Sequence, residues 1–482
     1  MDLETLRRKN IVNRFLIFVF IFLSACAPAK IFNVADPGTG DFWIQFLLRG
    51  TADHDPFLHE TFREDSPRSL ELDWTLLIGA VNATTRNQGF VVDQNGFIYV
   101  VGNTEGGVYN AGPIGTRDLI LGKYDSKKNT VWTQQIGSAG VDLKVVNLAV
   151  DSNGNVYVTG STDNNGFFTA ALAGSEDMFV IKFNPDGTRA WTTQAGPAGP
   201  DSRTIPSGIS VDTFGNSYVV GESSGPFGGP ELGFNGFIVK FDSNGNQVWV
   251  RQLSIPNARI QSNGITFDKV TGNLYLAGWG NANFETDTIP GIGTEDLFIL
   301  KYDCNNGNKR FFAQLGLPLR TTQSHSVAVD PFGNVFVSGE SDGDFGSGAD
   351  GTTALGTVVK YDSFGVRQWI RQLGPIRNRR HTSIQAMVTD TAGNVYTTGF
   401  TAGNIENESD ASIGTQDVFL TKHNPSGQRE WVRQFGVPGG SMFGKGIGVD
   451  LEGNLYVAGN TEDGLNGLPF RGDIDLFVVK YK

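Results

Sequence analysis

One pattern of apolar and polar positions runs along the chain. An apolar stretch ends at an aspartate, a polar turn follows, and a second apolar stretch carries an aromatic residue and closes on glycine. Examples are AVDSNGNVYVTGST (149–162), AVDPFGNVFVSGES (328–341) and GVDLEGNLYVAGNT (448–461). Apolar runs this short, broken by Asp, Asn and Gly, predict two strands joined by a hairpin. Asp caps such a turn through its side chain, and Gly takes the positive φ that the turn needs. The turn aspartates are Asp93, Asp151, Asp212, Asp268, Asp330, Asp390 and Asp450, so the unit recurs about every sixty residues. The aromatics of the second strand are Tyr99, Tyr157, Tyr218, Tyr275, Phe336, Tyr396 and Tyr456.

Two further apolar runs complete each unit. One is DLILGKYD (118–125), echoed by DMFVIKFN (177–184), DLFILKYD (296–303) and DLFVVKY (475–481). The other is WTQQIG (132–137), echoed by WIRQLG (369–374) and WVRQFG (431–436). Each unit is therefore a four-stranded sheet, with strands A to D in chain order. Strands such as NVYVTG are apolar on both faces, so each sheet must be sandwiched between copies of itself. The prediction is all-β, a seven-bladed β-propeller of four-stranded blades. The first strand, WTLLIG (74–79), is a D strand with no A, B or C before it, and the last, DLFVVKYK (475–482), is a C strand with no D after it. The N-terminal strand is expected to pair with the last blade and close the ring, which removes exposed sheet edges.

These residues carry a resemblance. The pattern VDxxGNxYVxGxT, then D-x-F-x-x-K-Y-D, then W-x-x-Q-x-G, is similar to the SBBP repeat, a bacterial β-propeller repeat, over about residues 73–482. The resemblance implies the fold and a secreted or surface protein, and implies little chemistry. Departures are local: Phe311 stands for the repeat Trp in one copy, and Asn235 and Leu355 stand for the Asp that opens strand C.

The N-terminus adds location. Arg7, Arg8, Lys9 and Arg14 precede the apolar run FLIFVFIFL (15–23), which ends in LSAC (23–26). That is the layout of a secretion signal, too short to span a bilayer, and LSAC resembles the lipobox of bacterial lipoproteins. The expected organisation is a lipoprotein signal peptide at 1–25, a lipidated tether at 26–72 and the propeller at 73–482, with lipid on Cys26 as the membrane contact at the outer membrane or cell surface. The apolar patch FWIQFLL (42–48) in the tether has no assigned role. The net charge of −12 speaks against a nucleic-acid partner. Only Cys26 and Cys304 are present, which excludes a disulfide framework. With every edge closed, a monomer is expected.

Motifs that resemble catalytic ones dissolve into the repeat. GESDG (339–343) and GESSG (221–225) match a nucleophile elbow, but no helix follows, and other blades read GNTEG (102–106) and GFTAG (399–403) in the same register. DSNGN (151–155) lacks the closing acid of a calcium loop. RGD (471–473) matches an integrin-binding tripeptide by a match that is cheap at this length. His325 and His381 read as loop residues of adjacent blades, and His423, in a repeat aromatic position, reads as packing. No cofactor and no metal site is expected. The Trp and Gln that recur in nearly every blade read as packing between blades.

Charge separates the two faces. By strand parity the B–C loops and D–A crossings share one face. The B–C loops, such as ESDGDFGSGADGTTAL (340–355), are long and acidic and point to function there. Each D–A crossing carries a base: Arg86, Lys144, Arg203, Arg259, Arg320, Arg380 with Arg377 and Arg379, and Lys445. Two readings follow. The bases form a ring at the channel mouth that attracts an anion, or each pairs with a neighbouring loop acid. The functional expectation is a non-catalytic binding scaffold for an unknown protein or glycan ligand. The alternative is a propeller enzyme, a hydrolase or lyase acting on a polymer. Seven equivalent axial positions favour the first, and a blade-specific polar cluster at the axis favours the second.

Overall fold

The computed structural model describes residues 70–482 except 110–111, 164–170, 230–234, 348–352, 375–379 and 406–411. The readings on the leader, Cys26, the patch 42–48, Arg377 and Arg379 lie outside the described residues. The chain divides into two units at Ser66/Pro67.

Seven antiparallel four-stranded sheets follow one another in strict A–B–C–D order. Blade 1 holds Thr85–Val92, Ile98–Thr104, Asp118–Tyr124 and Thr130–Ile136. The A strands of blades 2 to 6 are Leu143–Val150, Thr204–Val211, Ile260–Asp268, Thr322–Val329 and Thr382–Thr389. Blade 7 takes A, B and C from Met442–Val449, Leu455–Thr461 and Asp475–Tyr481, and its D strand is Leu72–Ile78. Each A strand touches the next around a closed circle, blade 7 to blade 1 included. The closing pair runs from Leu72↔Tyr481 to Ile78↔Leu476, and Glu71 and Lys482 exchange backbone hydrogen bonds beyond it. The closing strand thus starts two residues earlier than the sequence suggests.

Each A–B turn is tied by its aspartate. Asp151 Oδ1 accepts from the backbone N–H of Asn153 and Asn155, and Oδ2 accepts from the Asn155 amide at 2.8 Å and from Tyr157 Oη at 3.3 Å. Tyr157 also donates to Gly215 O in the next blade. Burial first, then the Asp151 charge, pushes the Tyr157 phenol far above its usual range, so it acts as a fixed donor. Tyr157 therefore closes its own turn and binds its neighbour, as Tyr218 does through Asp212 and Cys304 O.

Blades are latched by a cross-strand row. In blade 2, Tyr157, Lys182 and Trp191 lie side by side on strands B, C and D. Lys182 Nζ sits over the Tyr157 ring, and both Lys182 Nζ and Trp191 Nε1 donate to Ser243 O in the C–D turn of blade 3. Trp191 lies against Gly245 in that turn, at φ +86°, where a Cβ would come within 2.8 Å of the indole. The same latch recurs with Trp132 on Pro185 O, Trp369 on Pro425 O and Trp74 on Ser126 O. The repeated Trp, Lys and turn Gly are thereby explained as one inter-blade contact. Blade 4 corrects one sequence expectation. Phe311 is exposed, and Phe312 meets Tyr275 edge-on at 5.0 Å. The bulge in this D strand falls two residues away from its usual place, between Ile299 and Leu300, so the neighbouring phenylalanine fills the Trp slot.

His423 confirms its packing role and brings a pH dependence. It is buried and stacked with Trp369, ring centroids 6.3 Å apart. Burial first, then the Arg429 and Arg371 charges, lowers its imidazole from 6.5 to about 4. A folded-state pKa below the unfolded one means that the unfolded chain takes up the proton first. Stability is then complete above about pH 6.5 and is lost as pH falls toward 4, by up to about 3 kcal/mol from this group. Denaturant midpoints measured down this range should fall for wild type and fall less for His423→Tyr. Equal slopes for the two proteins would show that His423 is not the titrating group.

Candidate functional site

The B–C loops begin from rigid bases. In blade 1, Asp118 accepts from the N–H groups of Ile114 and Gly115 and from Gln135 Nε2 at 2.7 Å, while Gln135 Oε1 accepts from Val108 N. Asp296 with Gln314 and Asp417 with Gln434 repeat the clamp. Where Asn235 and Leu355 replace the aspartate, Gln252 and Gln372 still hold Phe227 N and Phe345 N. The repeated glutamine is thus a loop anchor. Serines of the elbow-like motifs are consumed in the same way. Ser341 Oγ accepts from Gly343 N and donates to Thr321 O, and Ser223 Oγ accepts from Gly225 N. Both serines are buried. In RGD the Arg471 and Asp473 side chains are exposed, and their backbone N–H groups are bound to Asp475 and Ala83 O.

The seven bases stand at different places relative to strand A. Lys144 and Arg203 share one acid, Glu176, at 2.9 and 2.5 Å, and Lys144 also reaches Asp163 at 3.6 Å. Burial alone would raise the Glu176 carboxyl, but hydrogen bonds from Arg203, Lys144 and Ser161 outweigh it and hold the group below its usual range. Arg259 pairs with Glu295 at 3.4 Å and covers the Trp279 ring. Arg86 and Arg380 are exposed, and Arg320 is half-buried before strand A of blade 5. Lys445 alone among the seven lines the central channel, in a cavity of about 180 Å³.

Lys445 marks a register that a search for bases misses. Every A strand carries a β-bulge, and the unpaired residues are Gln88, Val146, Ser207, Asn263, His325, Gln385 and Lys445. A bulge re-aims its side chain. Five of these positions line the channel, and in blades 2 and 3 the next residues, Asn147 and Gly208, do so. The signal was in the sequence: each bulge residue precedes its turn by a fixed spacing, five places for the pairs Gln88/Asp93 and Lys445/Asp450. His325 therefore belongs to strand A of blade 5, Thr322–Val329, and not to a loop.

Apart from Val146, the bulge residues are polar, and none is an acid. Ser207 Oγ donates to Ser262 O, Asn263 Nδ2 donates to Ser324 O at 2.6 Å, and His325 Nδ1 lies 3.1 Å from Ile384 O. Each of these side chains therefore reaches the carbonyl just before the bulge of the next blade. On the far side Lys445 Nζ donates to Gln385 Oε1 at 3.0 Å, and Gln385 Nε2 lies 3.0 Å from His325 Nδ1. Behind them His381 Nε2 meets Glu340 Oε2 at 3.0 Å. Burial lowers the His325 imidazole, against the Glu340 charge, and lowers the Lys445 ammonium. The titratable groups that line the channel, His325 and Lys445, thus lie in blades 5 and 7, with Gln385 of blade 6 between them. Among the described residues no group of His, Cys, Asp and Glu is arranged to hold a metal ion.

A closed ring of four-stranded blades around a polar channel defines a β-propeller. The chain belongs to the SBBP beta-propeller repeat family, whose model matches residues 73–110, 131–168, 190–228, 248–285, 310–346, 368–406 and 430–466. Each match runs from a D strand into A and B of the next blade, which is the stagger that closes the ring. An uncharacterized WD repeat-containing protein of Acanthamoeba polyphaga mimivirus is 28% identical over 194 residues, 34% of this chain and 13% of that protein. The chain thus spans only a small part of that curated relative. Among solved structures, the propeller domain of the trilobed protease of Pyrococcus furiosus is 8% identical with a TM-score of 0.44, covering 84% of this chain and 95% of that one. A polysaccharide lyase, an ulvan lyase, is 12% identical with a TM-score of 0.44, covering 83% and 95%. A gluconolactonase of Xanthomonas campestris is 11% identical with a TM-score of 0.37, covering 76% and 90%.

Proposed function

We propose that the protein is a lipoprotein held at a membrane surface through Cys26, and that its monomeric propeller is a non-catalytic scaffold binding a protein or glycan ligand on the face of the D–A crossings and B–C loops. One observation carries the binding reading. The polar groups repeated from blade to blade are spent on turns, loop anchors and latches, whereas the bulge positions vary from blade to blade and five of them line the central cavity. A scaffold of constant parts with one variable ring suits recognition. The test has two arms. Cys26→Ser should move the protein from the membrane fraction to the soluble fraction. The purified protein should retain a ligand from a panel of glycans and surface proteins, and retention of none would remove the binding reading.

A second reading has its own support. His325, His381, Glu340 and Lys445 gather in blades 5 to 7, and such asymmetry suits an enzyme that cleaves a polymer at the channel mouth. Release of reducing ends or unsaturated products from anionic polysaccharides, abolished in Lys445→Met, would replace the scaffold reading by this one.

A further inference from the structure

We propose that the channel holds a small carboxylate against Lys445, on the wall that also carries Gln385 and His325. The inference rests on the binding reading above and names its ligand chemistry. In a chain of net charge −12, the bulge ring holds no acid. The Lys445 side chain is reached by water, yet protein surrounds its ammonium closely enough to lower its pKa. None of the ion pairs found among the described residues includes it. An ammonium has three donors, and the recorded bond is to one neutral oxygen, Gln385 Oε1. A cation confined in this way is short of the compensation that a paired anion gives.

The neighbours form a relay that an anion would reset. The Lys445 ammonium demands the amide oxygen of Gln385, which turns the amide NH₂ toward His325 Nδ1 and Ser383 Oγ at 3.0 and 2.8 Å. In that state Nδ1 accepts from the amide and the imidazole is neutral, so the Ile384 carbonyl, 3.1 Å away, receives no hydrogen bond from this ring, and protonation of Nδ1 would supply one. A carboxylate at Lys445 takes over the ammonium and frees Gln385 to turn its oxygen toward a protonated His325. Glu340 favours that protonation, and Lys445 and His381 oppose it. Carboxylate binding and proton uptake by His325 are therefore coupled. The space of about 180 Å³ corresponds to roughly six waters at liquid density. It suits an organic acid or the terminal residue of an acidic sugar chain, not a folded partner.

The full chain, solubilised in detergent, is titrated by calorimetry with acetate, glucuronate, a uronic-acid trimer and neutral glucose. A carboxylate should bind saturably and glucose should not. Lys445→Met should weaken binding by about 10-fold or more with an unchanged melting curve. Binding should tighten from about pH 7.5 to 5.5 with net proton uptake, and His325→Gln should remove that dependence. Monomer and trimer binding alike marks a free acid, whereas trimer binding alone marks a chain end. Two results overturn the inference: saturable heat from none of the carboxylates, or equal affinity in Lys445→Met. A ligand retained in the panel experiment alongside either result would leave the scaffold reading standing.

Discussion

Deleting residues 72–80 is expected to unfold or aggregate the whole ring, not to trim one blade. Strand Leu72–Ile78 is the only D strand that blade 7 has. Its side chains serve two interfaces. Leu77 packs into the core between blades 6 and 7, and Ile78 packs into the core between blades 7 and 1. Trp74 makes the latch to blade 1 through Ser126 O at 3.1 Å. Gly79 lies against the Asp475 carboxyl, where a Cβ would have no room. Burial of each large apolar side chain contributes about 1.5–3 kcal/mol. Loss of Trp74, Leu76, Leu77 and Ile78 together approaches the 5–15 kcal/mol that holds a typical domain folded. The edge of Asp475–Tyr481 would also be left open for pairing with another chain. Size-exclusion chromatography and thermal melting of the deletion variant decide the matter. A monomer with an unchanged melting curve would show that the ring is held without its closing strand.

The fold was legible because a propeller repeats its constraints. Seven copies of Asp, Gly and aromatic fix the hairpins, and apolar residues on both faces of strands B and C require sheet-on-sheet stacking. The orphan D strand at one end and the missing D strand at the other state the closure. The Trp slot of blade 4 was misread because one displaced bulge shifts which of two adjacent phenylalanines faces inward, and composition does not register that shift. The site was less legible for a related reason. Basic residues were grouped by charge and by crossing, whereas the fold groups side chains by register. Lys144 and Arg203 follow their charge to Glu176, and only Lys445 occupies the bulge position with His325 and Gln385. Alignment of the A strands on their turn aspartates brings the bulge residues into one column, so the information was present but lay in spacing. The opposite face holds another feature that hydropathy conceals, since Phe214, Val270, Phe332 and Phe364 stand exposed at turn tips although the turns as a whole are polar.

Replacement of Trp369 by Ala is expected to destabilise the ring by about 3–5 kcal/mol, the range for deleting a buried aromatic side chain. Trp369 is 8% exposed. Its ring meets Phe336 edge-on at 5.9 Å within blade 5 and stacks with His423 of blade 6. Its indole N–H donates to Pro425 O at 3.1 Å, the same carbonyl that Lys360 Nζ reaches at 3.0 Å. The indole lies over Gly427, at φ +81°, where a Cβ would come within 2.7 Å of the ring. Truncation therefore opens a cavity between two blades and removes one donor from a shared carbonyl. It also uncovers His423, whose low pKa depends first on burial, so the acid sensitivity of the ring should shrink in the same variant. Trp369→Phe separates these effects, because blade 4 shows that a phenylalanine can fill the slot. That variant should lose about 1–2 kcal/mol, for the hydrogen bond and the smaller ring. Chemical denaturation of the three proteins, at neutral pH and near pH 5, provides the comparison. A loss below about 1 kcal/mol for Trp369→Ala, outside the range for a buried aromatic, would mean that the blades are not held together by this latch.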